Sequence, residues 1–348
     1  MRIVILTNSL SSGGAERSMN LLSNALMHSG KQVLLVPINS SKEDAVDLIA
    51  EIWSPDRERR SGLIQTISAL VSMWRFIAKW NPDVLILNCD ISELLGTFIQ
   101  IRKPKIVVEH APYPWNTRKT LGKCIRFLLR LQKSTFIAVS TSLKIWPNED
   151  EPSAVIPNLI IKSGLSDKGS NCTENMQILG LSFIGRFSEE KNPSLALKIA
   201  SESKLPIRFF GEGLLIKEIV EEAQALDVQT DLLGFRKTVW DEILDGELII
   251  IPSLWEGDGL VVVEALEHRK PILLADIPAF RRFNLPEYFY CKSKVDFVSA
   301  IKANRHDISK LVPSLEMRNQ ILATRDSHRI IGLWDLQLFQ LVYGQSSN

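Results

Sequence analysis

The richest concentration of groups that could do chemistry lies in PSLWEGDGLVVVEALEHRKPILLAD, residues 252–276. The apolar run that leads into this segment predicts a strand, and a helix is predicted directly after the loop WEGDG. Glu256 lies on the loop and Glu264 on the helix, where two carboxylates can accept hydrogen bonds from sugar hydroxyls. Gly257 and Gly259 leave backbone N–H groups at the helix start free to face an anion. The pattern predicts a site for a ligand that carries both an anionic group and hydroxyls.

Two cations lie five residues apart in FIGRFSEEKN, residues 183–192, at the end of another predicted strand. Arg186 offers planar bidentate donors and Lys191 a point charge, so the two can converge on one diphosphate. The alternative is a pair of solvated surface cations, which contributes little to stability and binds nothing in particular.

The loop NSLSSGGAER, residues 8–17, follows the first predicted strand and opens a helix at about Ala15. Gly13 and Gly14 let the backbone approach a ligand, and a helix N-terminus suits a phosphate. The loop lacks the full glycine spacing of a dinucleotide motif, so an ordinary strand-to-helix turn is the alternative. His110 directly follows the strand KIVVE, at an edge where parallel sheets bind ligands. The alternative for His110 is a structural histidine.

Short apolar runs rich in Val and Ile recur between helical patterns, as expected of strands buried on both faces of a parallel sheet. The first five runs cover residues 2–7, 32–38, 83–88, 105–110 and 135–140, and the second five cover residues 178–185, 207–211, 228–234, 247–253 and 271–276. Helical patterns such as 15–29 and 63–80 separate them, and a polar segment, 162–177, divides the two sets. We therefore predict an α/β protein with two Rossmann-like, doubly wound parallel-sheet domains that face a central cleft.

Taken together, these motifs resemble the retaining glycosyltransferases of family 4, which have the GT-B fold. The matching pieces follow the family's order and span nearly the whole chain: GGAER near the start, EHAP at 109–112, GRFSEEKN at 185–192, FFGEG at 209–213 and PSLWEGDGLVVVEAL at 252–266. The resemblance implies an acceptor-binding domain over 1–165 and a nucleotide-sugar-binding domain over 166–325. It also implies that a C-terminal helix within 326–348 packs back toward the first domain.

The resemblance also implies a role for each matched position. Arg186 and Lys191 would hold the donor diphosphate, which Gly14 would approach from the other domain. Glu264 would bond the ribose hydroxyls, and Glu256 would contact hydroxyls of the transferred sugar. The other residues implied to line the donor site are Gly13, Gly211, Phe235, Gly257, Asp258, Gly259 and Leu260.

His110 would lie against the donor sugar and complete the catalytic set with Arg186, Lys191 and Glu256. It need not act as a general base, because in a retaining reaction the leaving diphosphate can take the acceptor proton, which leaves charge stabilisation to the enzyme. Two segments depart from the family pattern. Asp258 stands where the family commonly has an aromatic residue, which leaves the donor sugar open, and IPNLI at 156–160 replaces a usual Asn-Gly turn.

The resemblance implies an enzyme that transfers a sugar from a nucleotide-sugar. The substrates common in the family favour a UDP-sugar, such as a UDP-N-acetylhexosamine, as donor. They favour a lipid-linked saccharide of O-antigen or capsule biosynthesis as acceptor. The alternatives are a sugar epimerase or glycogen-type synthase on the same fold, or a non-catalytic nucleotide-sugar-binding partner. No metal or other cofactor is expected, because no DxD lies beside a strand end and no His, Cys and carboxylate cluster has ligand spacing. No nucleic acid is expected as a partner.

Charge is divided unevenly along the chain. Residues 1–165 carry 20 Lys and Arg against 14 Asp and Glu, whereas residues 166–348 carry 21 against 26. In the basic half, the predicted helix over 117–133 places five cations on one arc, namely Lys119, Lys123, Arg126, Arg130 and Lys133. Such a helix either packs on the core with a solvated face or turns its cations toward anionic lipid. The positive charge of this half favours the second interpretation.

Composition excludes several classes of protein. With 348 residues, 45% of them hydrophobic and 23% charged, the chain has the profile of a globular protein of about two domains. Its longest apolar runs are too short to span a bilayer, and its first residues predict a strand rather than a signal peptide. The four cysteines form no paired motif, which is typical of reduced thiols. We expect a cytoplasmic protein that is peripheral to the inner face of the membrane.

Overall fold

The computed structural model describes residues 1–10, 13–39, 49–54, 63–99, 102–160, 176–236 and 238–344. The chain divides into two compact units: unit 1 is Met1–Ile161 with Arg325–Asn348, and unit 2 is Lys162–Thr324. The sequence-based domain boundaries differ from these by one to four residues. Most of the expected linker, 162–177, and Cys172 within it lie outside the described residues.

Unit 1 is built on a parallel sheet. Its strands are β1 (Arg2–Thr7), β2 (Gln32–Pro37), β3 (Glu51–Ile52), β4 (Val84–Asn88), β5 (Lys105–Glu109), β6 (Thr135–Ala138) and β7 (Ala154–Val155), in the order β3-β2-β1-β4-β5-β6-β7. All five strands predicted from this half are confirmed, and every pairing is parallel. Only the two-residue edge strands β3 and β7 had no signal in the apolar pattern.

Helices cover both faces of this sheet. They are α1 (Gly14–His28), α2 (Leu63–Trp80), α3 (Asp90–Phe98), α4 (Lys119–Leu131) and, from the end of the chain, α12 (Ser327–Tyr343). On one face α1 and α12 bury Leu22, Leu26, Trp334 and Leu338 in a common core. On the other face a second core holds Ile77 of α2 and Leu129 of α4, with α3 packed beside it. The C-terminal helix therefore contributes to the core of unit 1.

Unit 2 repeats this architecture. Its strands are β8 (Gly180–Ile184), β9 (Ile207–Phe210), β10 (Thr230–Gly234), β11 (Glu247–Ile251), β12 (Ile272–Ala275) and β13 (Tyr290–Cys291), in the order β10-β9-β8-β11-β12-β13. Its helices are α5 (Pro193–Ser203), α6 (Ile216–Ala225), α7 (Val239–Glu242), α8 (Leu260–Glu267), α9 (Pro278–Arg281), α10 (Lys294–Ala303) and α11 (Leu315–Ala323). The five strands predicted here are confirmed, and all pairings are parallel.

Each sheet has one point where the strand order reverses, between β1 and β4 in unit 1 and between β8 and β11 in unit 2. Doubly wound sheets bind ligands beyond the carboxyl ends of the strands at this point. The loops that follow these strands are therefore where a site is expected. Among the described residues, no helix combines the length and apolar character needed to cross a bilayer.

Candidate active site

The carboxyl edge of the unit 2 sheet brings together residues that are far apart in the sequence. Gly211 follows β9, and its N–H donates to the Gly234 carbonyl at the end of β10 at 2.8 Å. Gly211 has a φ of +143°, and a Cβ on it would lie 2.0 Å from the carbonyl oxygen of Gly185. Only glycine lets the backbone after β9 approach the backbone after β8 this closely. Phe235, which is 61% exposed, follows directly after β10.

The loop after β8 carries both predicted cations. Arg186 is exposed directly beyond the strand, while Phe187 beside it is buried in the unit 2 core. Lys191 ends a short 3-10 turn, and Asn192 then caps α5 by accepting a hydrogen bond from the Leu195 N–H. Since the turn and the cap fix the backbone on both sides of Lys191, the loop presents its ammonium group at the point of strand reversal.

An ion pair joins the loop after β8 to the loop after β11. Lys191 Nζ lies 2.6 Å from Glu256 Oε2, and the Ser253 hydroxyl donates to Glu256 Oε1 at 3.0 Å. The Leu254 N–H also donates to the Glu190 carbonyl at 2.8 Å. The two residues that the sequence assigned to the diphosphate and to the sugar therefore meet at one place in the fold.

The glycine-rich loop before α8 is held by a second ion pair. Asp258 is buried, and its carboxylate and its carbonyl oxygen both accept hydrogen bonds from Nη2 of Arg282. Gly259 has left-handed angles, with φ +62°, and precedes the first residue of α8, Leu260. A Cβ on Gly259 would lie 3.0 Å from the ring of Phe280 on α9. The loop therefore packs tightly against the α9 segment, and Arg282 fixes it there.

Glu264 lies on the second turn of α8 and accepts a hydrogen bond from Nε1 of Trp240 at 3.3 Å. The Trp240 ring stacks on His268, with centroids 5.3 Å apart. Stacking on His268 sets the position of the Trp240 indole. The indole N–H therefore orients the Glu264 carboxylate.

In unit 1, the expected glycine loop and His110 lie at the carboxyl ends of β1 and β5. Gly13, with φ +116°, caps α1, and Gly14 is its exposed first residue. His110 is half-buried directly after β5. Residues 11–12, which complete the glycine loop, lie outside the described residues. The predicted placement of both features beyond strand ends is confirmed.

The predicted basic face of α4 is wrong at Arg126. Its side chain is completely buried and forms ion pairs with Glu93 of α3 and Glu109 at the end of β5. Burial raises the pKa of Glu109 to about 7, although Arg126 beside it acts in the opposite direction. Arg130, on the same predicted face, pairs with Asp150 at 2.8 Å. The spacing of the cations along the helix could not reveal this burial. It gives no sign that two carboxylates from other elements are removed from water together with Arg126.

Because α4 is oriented with Arg126 inward, three large apolar side chains of the helix are exposed. Leu121 is 41% exposed and Leu131 is 65% exposed, and Phe127 beside them is 60% exposed. Lys119 and Lys123 remain on the surface, as does Lys133 beyond the helix end.

Three residues of the site had no interpretation in the sequence: Ser253, Trp240 and Arg282. Ser253 lies inside the quoted motif and could have been found there, because a hydroxyl three residues before Glu256 is within reach of its carboxylate. Trp240 and Arg282 come from separate elements, so only the folded chain places them on Glu264 and Asp258. Among the described residues there is no group of three or more His, Cys, Asp or Glu that could hold a metal ion.

Comparison with known proteins gives the same assignment for both units. The family model for glycosyl transferases group 1 matches residues 176–316, and the model for glycosyltransferase family 4 matches residues 12–160. The chain is a glycosyltransferase. The predicted enzyme class is confirmed, and a non-catalytic binding partner is set aside.

Two curated relatives of this glycosyltransferase are named for undecaprenol-linked saccharide substrates. It is 22% identical to UDP-Gal:alpha-D-GlcNAc-diphosphoundecaprenol alpha-1,3-galactosyltransferase of Escherichia coli, over 66% of this chain and 67% of that protein. It is 23% identical to GalNAc-alpha-(1->4)-GalNAc-alpha-(1->3)-diNAcBac-PP-undecaprenol alpha-1,4-N-acetyl-D-galactosaminyltransferase of Campylobacter jejuni, over 76% of this chain and 77% of that protein.

Among solved structures, the glycosyltransferase resembles Anabaena HepE in complex with UDP and glucose. The TM-score is 0.75 at 16% identity, over 98% of this chain and all of that one. At this identity the likeness concerns the fold, and it confirms the predicted GT-B class.

Proposed function

We propose that this glycosyltransferase is a retaining enzyme of family 4 that moves a sugar from a UDP-sugar to a lipid-linked saccharide in bacterial surface polysaccharide biosynthesis. The observation that carries the proposal is the Lys191–Glu256 pair at the strand reversal of unit 2, on the same loop as the exposed Arg186. A diphosphate there meets two cations, and the adjoining sugar meets a carboxylate. The undecaprenol-linked substrates named for the relatives support the class of acceptor.

In the proposed reaction, Arg186 and Lys191 stabilise the charge that develops on the leaving diphosphate, together with the N-terminus of α8. The Gly257–Leu260 loop offers backbone N–H groups to the same charge, and Glu256 binds hydroxyls of the transferred sugar. Glu264 holds the ribose, oriented by Trp240. Since these cations and N–H groups supply the charge stabilisation, the proposal includes no metal ion. The proposal also assigns His110 to the donor sugar.

Ligand binding and product stereochemistry test the proposal. UDP should raise the melting temperature more than GDP or ADP, because a ligand that binds the folded state stabilises it by mass action. The shift should vanish in the double variant Arg186→Ala with Lys191→Ala, and it should persist in Lys198→Ala, which removes an exposed cation of the same unit. With an undecaprenyl-diphosphate-linked acceptor, NMR should show a product with the donor's anomeric configuration. An inverted product, or a UDP shift that survives the double variant, contradicts the proposal.

A lipid-linked acceptor requires the enzyme to work at a membrane, and we assign the cytoplasmic leaflet as its partner through the exposed face of α4. This face consists of Lys119, Leu121, Lys123, Phe127 and Leu131. It replaces the arc of five cations that the sequence predicted. Helix α4 contains no acidic residue. Each Lys near an anionic surface contributes about 1 kcal/mol, and burial of an apolar side chain adds about 1.5–3 kcal/mol. The combination suits an anionic lipid interface.

Co-sedimentation with vesicles that contain phosphatidylglycerol tests this surface. Lys119→Glu with Lys123→Glu should abolish binding at low salt, and Phe127→Ser with Leu131→Ser should weaken it at all salt concentrations. Lys198→Glu with Lys217→Glu, an equal charge change in unit 2, should bind as the wild type does. If both α4 variants bind normally, the face is an ordinary solvated surface.

A further inference from the structure

The loop that connects β5 to α4, residues 110–118, begins with His110 and is anchored at two points. At its start, the carboxylate of Glu109 accepts hydrogen bonds from Nη1 and Nη2 of Arg126. In its middle, the buried Trp115 donates its indole N–H to Glu93 Oε2 at 2.9 Å. Both anchors lead to one guanidinium, because Nε of Arg126 donates to that same Glu93 oxygen at 2.8 Å.

The surroundings of Trp115 are shaped to accept it. A Cβ on Gly122 of α4 would lie 2.3 Å from the Trp115 ring, so glycine is required where the indole crosses the helix. Arg126 uses its remaining capacity on the Trp146 carbonyl, at 3.0 Å, and on Glu93 Oε1, at 2.6 Å. All three nitrogens of the guanidinium thus donate hydrogen bonds to neighbouring elements within the unit 1 interior.

We propose that Arg126 is a positioning residue for His110, because it fixes the chain on both sides of that histidine through Glu109 and through Glu93 with Trp115. The proposal rests on the contact between His110 and the donor sugar in the proposed function. Arg126 itself is buried and touches no substrate. Its effect is to hold segment 109–115 in one conformation at the carboxyl edge of the sheet.

A burial this complete has a cost that packing alone does not require. Taking a guanidinium and two carboxylates out of water costs several kcal/mol per ion, and apolar residues of the same volume are often as stable. What the polar cluster adds is directional: planar, bidentate hydrogen bonds fix angles that apolar contacts leave free. A displacement of about 1 Å in a reacting group can cost about 100-fold in rate, so such a fixed angle has a function at a catalytic loop.

The test compares three unit 1 variants with two controls. Trp115→Phe removes one N–H and leaves Arg126 paired with both carboxylates. The triple variant Arg126→Met, Glu93→Gln and Glu109→Gln removes all three charges together, so that no buried charge is left alone. His110→Ala reports the contribution of the histidine itself. Arg208→Met breaks the partly buried pair with Glu247 at the opposite end of the unit 2 strands, and Arg130→Met removes a half-buried cation from α4.

We expect Trp115→Phe to lower kcat about 10-fold and the triple variant about 100-fold. UDP affinity should stay within about twofold of wild type, because the nucleotide contacts lie in unit 2. Arg208→Met should lower the melting temperature without lowering kcat, and Arg130→Met should change neither.

Two outcomes would overturn the proposal. If His110→Ala loses activity while Trp115→Phe and the triple variant keep wild-type kcat, Arg126 has only a structural role and the proposed function stands. If His110→Ala is fully active, the contact between His110 and the donor sugar is wrong, and the positioning role fails with it. A rise in melting temperature with UDP that depends on Arg186 and Lys191 would then still support the donor site.

Discussion

The two units use ion pairs at their carboxyl edges in different ways. In unit 2, Lys191 and Glu256 keep 21% and 9% of their side chains exposed, so the pair borders the place where a ligand is expected. In unit 1, Arg126 and its two carboxylates are at most 1% exposed. Charges of the first kind can exchange a protein partner for a ligand group, whereas charges of the second kind can act only by holding neighbouring residues in place. The comparison shows that a cation near a strand end is informative about function only once its burial is known.

The largest expected effect falls on the exposed cations of unit 2. Arg186→Ala and Lys191→Ala should each lower kcat by about 100-fold or more, because each removes stabilisation of leaving-group charge. Circular dichroism should show an intact fold in both. A steady-state assay with the UDP-sugar checks this, with Lys198→Ala as the matched loss of a cation. Turnover within about threefold of wild type in both variants would erase the distinction between the two kinds of ion pair.

The carboxylates of Glu256 and Glu264 should separate the binding of the nucleotide from the binding of the sugar. Glu264→Ala is expected to weaken the binding of UDP itself, and Glu256→Ala to weaken only the binding of the intact UDP-sugar. Each loss of binding free energy should be about 1.5–3 kcal/mol. Calorimetry with UDP and with the UDP-sugar distinguishes these effects. Trp240→Phe, which removes the N–H that orients Glu264, should resemble a mild Glu264→Ala. Equal losses of UDP affinity in both Glu variants would show that the roles are not divided.

The sequence was sufficient for the fold of both units because their strands are buried on both faces and therefore appear as continuous apolar runs. It also placed Arg186, Lys191, Glu256 and Gly211 correctly at one edge, since each lies in the segment between a strand and the next helix. It could not show that Lys191 pairs with Glu256, because that contact joins loops 65 residues apart.

The failure at Arg126 has a related cause. Helical periodicity assigns a side chain to a face by its spacing, and a basic arc looks the same whether it faces water or two buried carboxylates. The partners, Glu93 and Glu109, lie 33 and 17 residues away on other elements. The same limit applies to Arg282, whose partner Asp258 is 24 residues away.

The ion pair between Arg282 and Asp258, which holds the glycine-rich loop before α8, provides a smaller test within unit 2. Arg282→Ala leaves the buried Asp258 carboxylate without its guanidinium, which should lower the free energy of unfolding by about 1–3 kcal/mol. Adding Asp258→Asn should recover part of the loss, because no charge is then buried alone. Urea denaturation of the two single variants and the double variant measures the coupling. If the single effects simply add, Arg282 does not act through Asp258.

A further expected effect is a pH dependence of stability from the buried cluster of unit 1. The pKa of Glu109 is raised by burial from 4.5 to about 7, so between these values the folded chain binds a proton that the unfolded chain has released. Its contribution to stability is therefore full below pH about 4.5 and is lost as the pH rises toward 7, with a slope of at most about 1.4 kcal/mol per pH unit. Glu109→Gln leaves Arg126 paired one-to-one with Glu93 and removes this titration. The stability of this variant relative to wild type should rise across that pH window. If urea denaturation gives Glu109→Gln and wild type the same pH profile, the raised pKa of Glu109 is wrong.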